Sequence, residues 1–427
     1  MTQELNQEDK RMKRALCLVL ALVLMLSASI ALADAKTIDP KAKRNIKINK
    51  AGLNPSAEEM IDQGISPTTG RKLAELEAAP DNFSGIMVTG KYQPVMVQIS
   101  NASNGFNDEG GSTTDTYKNA PVNGNYADVV YECIQASGGG LSRMSMVFAD
   151  YIPDYVGYVR STRYTHARLR QEWDCNFLTS GYLPYMLDEW KAMKVPNPMS
   201  GQRGKDPGPV YVGGVSDTKP WRKYYFALKG IADANNKLYQ AANLVNDVVP
   251  KDYKYANHTW LFSEELPEGG DDGEIIYITM GSEHKTDSRL EYDADNNVYH
   301  RYCNVVNVGD KVYRATKLSN IEFDKKAKDV IRADREPGEE ITFSNVIVQG
   351  ITMNWKGSEK PDPKLTGSGI ADYFLGGKHY EGVWEREKMN DRTVFYGPDG
   401  NEIKLQPGKT LIVLAPYNEK YVKVQYE

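Results

Sequence analysis

Cysteine is scarce in this 427-residue sequence, which holds four: Cys17, Cys133, Cys175 and Cys303. Cys17 falls inside an N-terminal apolar run, so three remain for the body, an odd number with no CxxC pair. That excludes a disulfide framework and a cysteine zinc motif, and it predicts buried free thiols. Histidine is thin as well: His166, His258, His284, His300 and His379 are scattered at no ligand spacing, so no metal site is expected. HExxH, a Walker loop and GxSxG are all missing, and nothing in the sequence calls for a cofactor. Ser216-Asp217-Thr218-Lys219 matches SxxK, but Pro220 follows at once and no KTG partner exists, which argues against the buried helix turn that chemistry needs. Charge of one sign is also lacking. Fifty-two basic against 57 acidic residues leave a net of -5, which argues against a nucleic-acid partner.

Only one stretch is apolar enough to cross a membrane. Met12-Lys13-Arg14 precedes ALCLVLALVLMLSASIALA, which ends in Ala31-Leu32-Ala33. The three-part pattern predicts a signal peptide over 1–33, cleaved after Ala33, and an exported protein of the cell envelope or its exterior. Contact with a membrane is expected only if that segment stays uncleaved. Residues 34–64 are basic and then polar, and read as a tether.

A chain of this length predicts two bodies. In the first, over 65–245, PVMVQIS, SMVFADY and CNFLTSG read as strands, while TRYTHARLRQEW, PYMLDEWKAM and LKGIADANNKLYQAANLVNDVV read as helices. The second, over 257–427, has short β-type runs and turn signals such as Asp399-Gly400. The expected fold is α+β, a mixed α/β N-terminal domain followed by a smaller β-rich C-terminal domain.

The polar residues at the ends of the first body's apolar runs are the candidate site. VGYVRSTR places Arg160 and Arg163 around Ser161-Thr162 at a strand-to-helix join, with Ser161 as the expected N-cap. Positive side chains are disfavoured at the positive end of a helix dipole, so something negative is expected there. Asp128 and Glu132, four apart in NYADVVYE, share a face. Arg143 follows a run of three glycines, and Asn101 closes QPVMVQISN. Three readings stand. The carboxylates pair with Arg143, Arg160 and Arg163 in a structural network. Alternatively, the arginines hold an anionic ligand group, a sugar acid, peptide carboxylate or phosphate. In the third, Asp128 and Glu132 act as acid and base on a glycan.

The order SPTTG, QPVMVQISN, ADVVYE, GGLSRMSMVF and VGYVRSTR resembles the N-terminal domain of the YerB-like envelope proteins. NNVYHRY, NVIVQ, GSGIADYFLGGKHYEGVW and TVFYGPDGNEIKLQPGKTLIVLAP resemble their C-terminal domain. The resemblance implies a bacterial two-domain protein without an established catalytic activity. Its members are usually lipid-tethered, but here Asp34 stands where their lipidated cysteine would be. Ser137, Thr179 and Ala234-Asn235-Asn236 also depart from the acidic, histidine and Pro-His-Asn positions of the family. The combined expectation is a non-catalytic binding module whose partner is a cell-wall glycan or peptide, or another envelope protein.

Overall fold

The computed structural model describes residues 35–101, 121–135, 142–178 apart from 158, 160 and 161, short stretches at 185–186, 189, 211–213 and 224–227, and 255–427 apart from 283, 285, 304–311, 325–328, 358–359 and 419–421. The expected signal segment, the SxxK match and the helix expected over 228–249 lie outside those residues, and the one expected over 184–193 lies largely outside. From the N-terminus come β1 (Lys36–Thr37), α1 (Ala57–Asp62), β2 (Val95–Ser100), β3 (Val129–Ile134), β4 (Ser142–Phe148), α2 (Tyr164–Trp173) and β5 (Asn176–Leu178). The second half adds β6 (Ile275–Met280), β7 (Ser288–Asp293), β8 (Val298–Cys303), β9 (Arg314–Asp324), β10 (Asp329–Glu340), β11 (Asn345–Trp355), β12 (Gly367–Leu375), β13 (Lys378–Arg386), β14 (Thr410–Pro416) and β15 (Val422–Tyr426). The fold is therefore mostly β with few helices, and its C-terminal half is β-rich.

An 11-stranded sheet runs in the order Asp271–Asp272, β13, β12, β11, β14, β3, β4, β2, β5, with Pro361–Lys364 beside β11 and Val394–Tyr396 beside β13. The halves meet within it. Strand β14 lies parallel to β3, with Thr410 opposite Val129 and Val413 opposite Glu132. Both strands are apolar runs without alternation, and both are buried along their whole length, as suits strands covered on two faces. A second sheet, of six strands, runs β1, β15, β6, β7, β8, Thr342–Phe343. There IIYITM and VYHRYC alternate between buried and half-buried positions, the period of a sheet covered on one face. The halves expected as separate bodies thus share one sheet and one hydrophobic core, from Val97 and Trp173 to Trp384 and Leu414. Splitting them would expose two hydrogen-bonding edges along with that core.

The segment read as a tether does not hang free. Residues 35–55 run along the C-terminal half. β1 pairs with β15, Lys36 opposite Tyr426. The Arg44 side chain is nearly covered, donating to the carbonyls of Ala371 and Gly382 at 2.7 and 2.8 Å and to Asp372 Oδ1 at 2.7 Å. The expected Asp399-Gly400 turn makes the crossing possible, because Gly400 has φ +78° and a Cβ there would lie 2.0 Å from the Lys47 carbonyl oxygen. Only glycine fits that position. Trp384 is a core anchor whose Nε1 donates to the Gly350 carbonyl at 2.8 Å.

Candidate functional site

Side chains alternate along a strand, and that alternation divides the sequence-predicted residues between the two faces of β3. Glu132 lies opposite Met144, and Ser142 lies opposite Ile134, so these residues share one face; Arg143 lies opposite Cys133 and takes the other. The predicted network of carboxylates with Arg143 and Arg163 is therefore not formed, because the sheet stands between them.

On the carboxylate face Glu132 is fully buried and satisfied. Asn101 Nδ2 donates to Glu132 Oε1 at 2.7 Å and to Ser142 Oγ at 2.7 Å, and the Ser142 hydroxyl donates to the same carboxylate oxygen at 2.6 Å. The cation comes from the second sheet: Arg301 on β8 donates to Glu132 Oε2 at 3.0 Å and stacks over the Tyr313 ring, 5.0 Å from its centroid. Asp128, just before β3, belongs to a separate cluster. Its Oδ2 accepts the backbone N–H groups of Ala149 and Asp150 at 2.6 and 2.9 Å. The Asp150 carboxylate accepts the hydroxyls of Ser66 and Thr69 at 2.6 and 2.7 Å, which pins the SPTTG turn. Burial, and then the charge of Asp150, push the Asp128 carboxyl well above its usual range. Burial likewise lowers the nearby Lys409 ammonium, which donates to the Asn125 carbonyl.

The other face carries α2. This helix begins at Tyr164, so its N-cap is Arg163, in extended conformation, rather than the expected Ser161. Ser161 and Arg160, like Ser137, Thr179 and Ala234-Asn235-Asn236, lie outside the described residues. Among the described residues no side chain caps the first-turn amides, and no acidic residue lies in that turn. The Arg163 N–H donates to His166 Nδ1 at 3.0 Å. A neutral imidazole that accepts at Nδ1 carries its proton on Nε2, and that buried Nε2 has no hydrogen-bond partner among the described residues. Burial first, and then the charges of Arg143 and Arg163, hold His166 well below its usual pKa. Two guanidinium charges, an unused N–H donor and a helix N-terminus therefore meet here, an arrangement that binds oxyanions. Cys133, on this face, is a buried thiol pushed up to about 12 by burial, and so is inert. All three body cysteines are buried and free, as expected.

The far end of α2 is closed by the second half of the chain. Glu172 accepts from Arg386 at 2.8 Å and from the Thr393 amide at 2.8 Å, and meets His258 Nε2 at 3.2 Å. Burial opposes its ionisation, but Arg386 and His258 outweigh it and hold the carboxyl at about 2.

Sequence reasoning missed His166, Arg301, Asp150 and Lys409. A signal existed for two of them. His166 stands three residues after the N-cap, the spacing of a capping box. Arg301 occupies an inward position of the alternating run VYHRYC, where a charge needs a buried partner. Asp150 and Lys409 sit at the ends of apolar runs and carry no such mark. Among the described residues no group of three potential ligands could hold a metal ion, and no helix is long and apolar enough to cross a membrane.

Two family models match the chain. The N-terminal domain of a protein of unknown function (DUF3048) covers residues 83–241, and the C-terminal domain of the same family covers 276–412. None of the curated proteins matches. Among solved structures, the crystal structure of YerB protein from Bacillus subtilis is similar, at a TM-score of 0.54 and 17% identity over 84% of this chain and 99% of that one. At that identity the likeness is one of fold.

Proposed function

Starting from the premise that this chain belongs to the two-domain, YerB-like DUF3048 family of unknown function, we propose that it is an exported binding protein that holds an anionic group of a cell-wall component at the N-terminus of α2. The observation that carries this reading is His166, buried at 1% exposure with Nε2 unpartnered beside Arg143 and Arg163. A buried donor left without an acceptor costs about 1–3 kcal/mol. A ligand oxygen would supply the acceptor. The reading keeps the N-terminal half as mixed α/β, supported by α2 lying against the sheet through Trp173, whose Nε1 donates to the Tyr131 hydroxyl at 2.9 Å.

The glycosidase alternative draws no support from the geometry. Four residues along a strand separate Asp128 and Glu132 by about 13 Å, beyond the roughly 5–9.5 Å of glycosidase carboxylate pairs. Glu132 is, moreover, fully engaged by Arg301, Asn101 and Ser142.

The test is retention on purified cell-wall fractions, with competition by sulfate, for the protein and its Arg143→Gln/Arg163→Gln variant. The expected result is retention lost at least tenfold in a variant that still unfolds cooperatively. Undiminished retention by a folded variant would sink the proposal.

A further inference from the structure

The first half's other carboxylate cluster borders a cavity that the anion site does not use. It measures about 410 Å3, within the range of small-molecule sites. We propose that this cavity is a second ligand site, and that it takes the ammonium group of a small organic molecule on Asp128.

The floor is built. Asp128 is 2% exposed and lines the cavity. Both of its hydrogen bonds to backbone amides go to Oδ2, and Oδ1 takes no hydrogen bond from the described residues. Asp150 beside it has both oxygens occupied by the Ser66 and Thr69 hydroxyls. The site therefore offers one carboxylate oxygen. Calcium or magnesium would need about six oxygen ligands, and a guanidinium favours a bidentate carboxylate. An ammonium N–H suits a single oxygen.

Charge points the same way. Two buried carboxylates, Asp128 and Asp150, face one half-buried lysine, Lys409, which donates to the Asn125 carbonyl and forms no ion pair with either among the described residues. At the walls, Glu77 and Glu339 outnumber Arg71. A cationic ligand completes a lining that is short of positive charge. Tyr126 and Tyr151, edge to face with centroids 5.7 Å apart, give the cavity aromatic walls against which an organic cation is favoured over a hydrated ion.

Burial and the charge of Asp150 raise the Asp128 carboxyl's pKa, and an ammonium at Oδ1 would draw it back down. Binding should then release protons and weaken as pH falls.

The experiment is calorimetric titration of the protein with glucosamine and with cadaverine, which separate an amino sugar from an alkyl amine as the source of the ammonium group. N-acetylglucosamine serves as the uncharged twin and magnesium chloride as the metal arm. The expected result is saturable binding of at least one amine, with a heat that depends on the buffer's ionisation enthalpy, and at least tenfold weaker binding to Asp128→Asn. Asparagine keeps an oxygen for the two backbone amides. Should that variant not fold, Glu77→Gln/Glu339→Gln supplies the readout, with amine binding weakened at least threefold. The proposal is overturned if neither amine saturates, if N-acetylglucosamine or magnesium binds as tightly, or if the variants bind amines as the parent does. Arg143→Gln/Arg163→Gln should leave amine binding unchanged, which keeps this site's fate separate from that of the anion site.

Discussion

The two faces of β3 hold similar residues and treat them differently. On one face both oxygens of Glu132 are engaged, by the Arg301 cation and by two polar donors, although Arg301 Nε and Asn101 Oδ1 in the same cluster find no partner among the described residues. On the other, His166 is just as buried and its Nε2 is left without a partner. Arg301 reaches Glu132 from the six-stranded sheet, so this face is also where the 11-stranded and six-stranded sheets are joined. A closed polar cluster specifies packing. His166 differs in lying beside two like charges, Arg143 and Arg163, and that combination is what the proposed anion would complete.

Breaking the closed face should give the largest effect. Arg301→Leu leaves the Glu132 carboxylate buried without its cation, and the expected loss is about 3–5 kcal/mol. Chemical unfolding measures it. Adding Glu132→Gln to the same chain should recover a large part of the loss, since no charge then remains buried. If Arg301→Leu cost under about 1 kcal/mol, the cluster would not be the joint described here.

The comparison also shows what a sequence can and cannot reveal. The runs PVMVQIS, SMVFADY and TRYTHARLRQEW became β2, β4 and α2 because their apolar spacing is local. The pairing of β3 with β14 was hidden, because two continuous apolar strands carry no mark of which neighbour each will take. The site was half legible for the same reason. Asp128, Glu132 and Asn101 were found as polar residues at strand ends, but the arginine that Glu132 uses lies 169 residues further along the chain. Alternation within β4 could have shown that Arg143 faces away from Glu132. That needed the β3–β4 register, which Ser142 opposite Ile134 supplies only once the chain has folded.

A second break, smaller in size, lies at the far end of α2. The folded carboxyl of Glu172 is held at about 2, against about 4.3 when unfolded. A depressed carboxyl contributes stability above its unfolded pKa, and that contribution is lost as pH falls from about 4.5 towards 2. The difference is of order 3 kcal/mol. Glu172→Gln should lower stability at neutral pH and flatten the acid limb over that window. An acid limb that keeps its slope in the variant would place the titrating group elsewhere.

On the open face the expected changes in stability are smaller and the changes in binding are the readout. His166→Asn keeps an acceptor near the Nδ1 position for the Arg163 N–H, removes the donor on Nε2, and should change the unfolding free energy by about 1 kcal/mol. Sulfate affinity should fall about tenfold, or about 1.4 kcal/mol.

The smallest effect sharpens the comparison most. His166 is kept neutral by burial and by Arg143 and Arg163, so its folded pKa lies below the unfolded value. As pH falls through the unfolded value of about 6.5 the free protein loses stability, because the unfolded chain takes up a proton that the folded ring refuses. An oxyanion against Nε2 offsets the two arginine charges and raises the folded pKa. Sulfate should therefore bind more tightly at pH 5 than at pH 7, by a factor of a few, with proton uptake on binding. His166→Asn should abolish that pH dependence, while Glu132→Gln, across the sheet, should leave it in place. If sulfate affinity were flat between pH 5 and 7, His166 would not be facing the ligand, and the two faces of β3 would differ only in their packing.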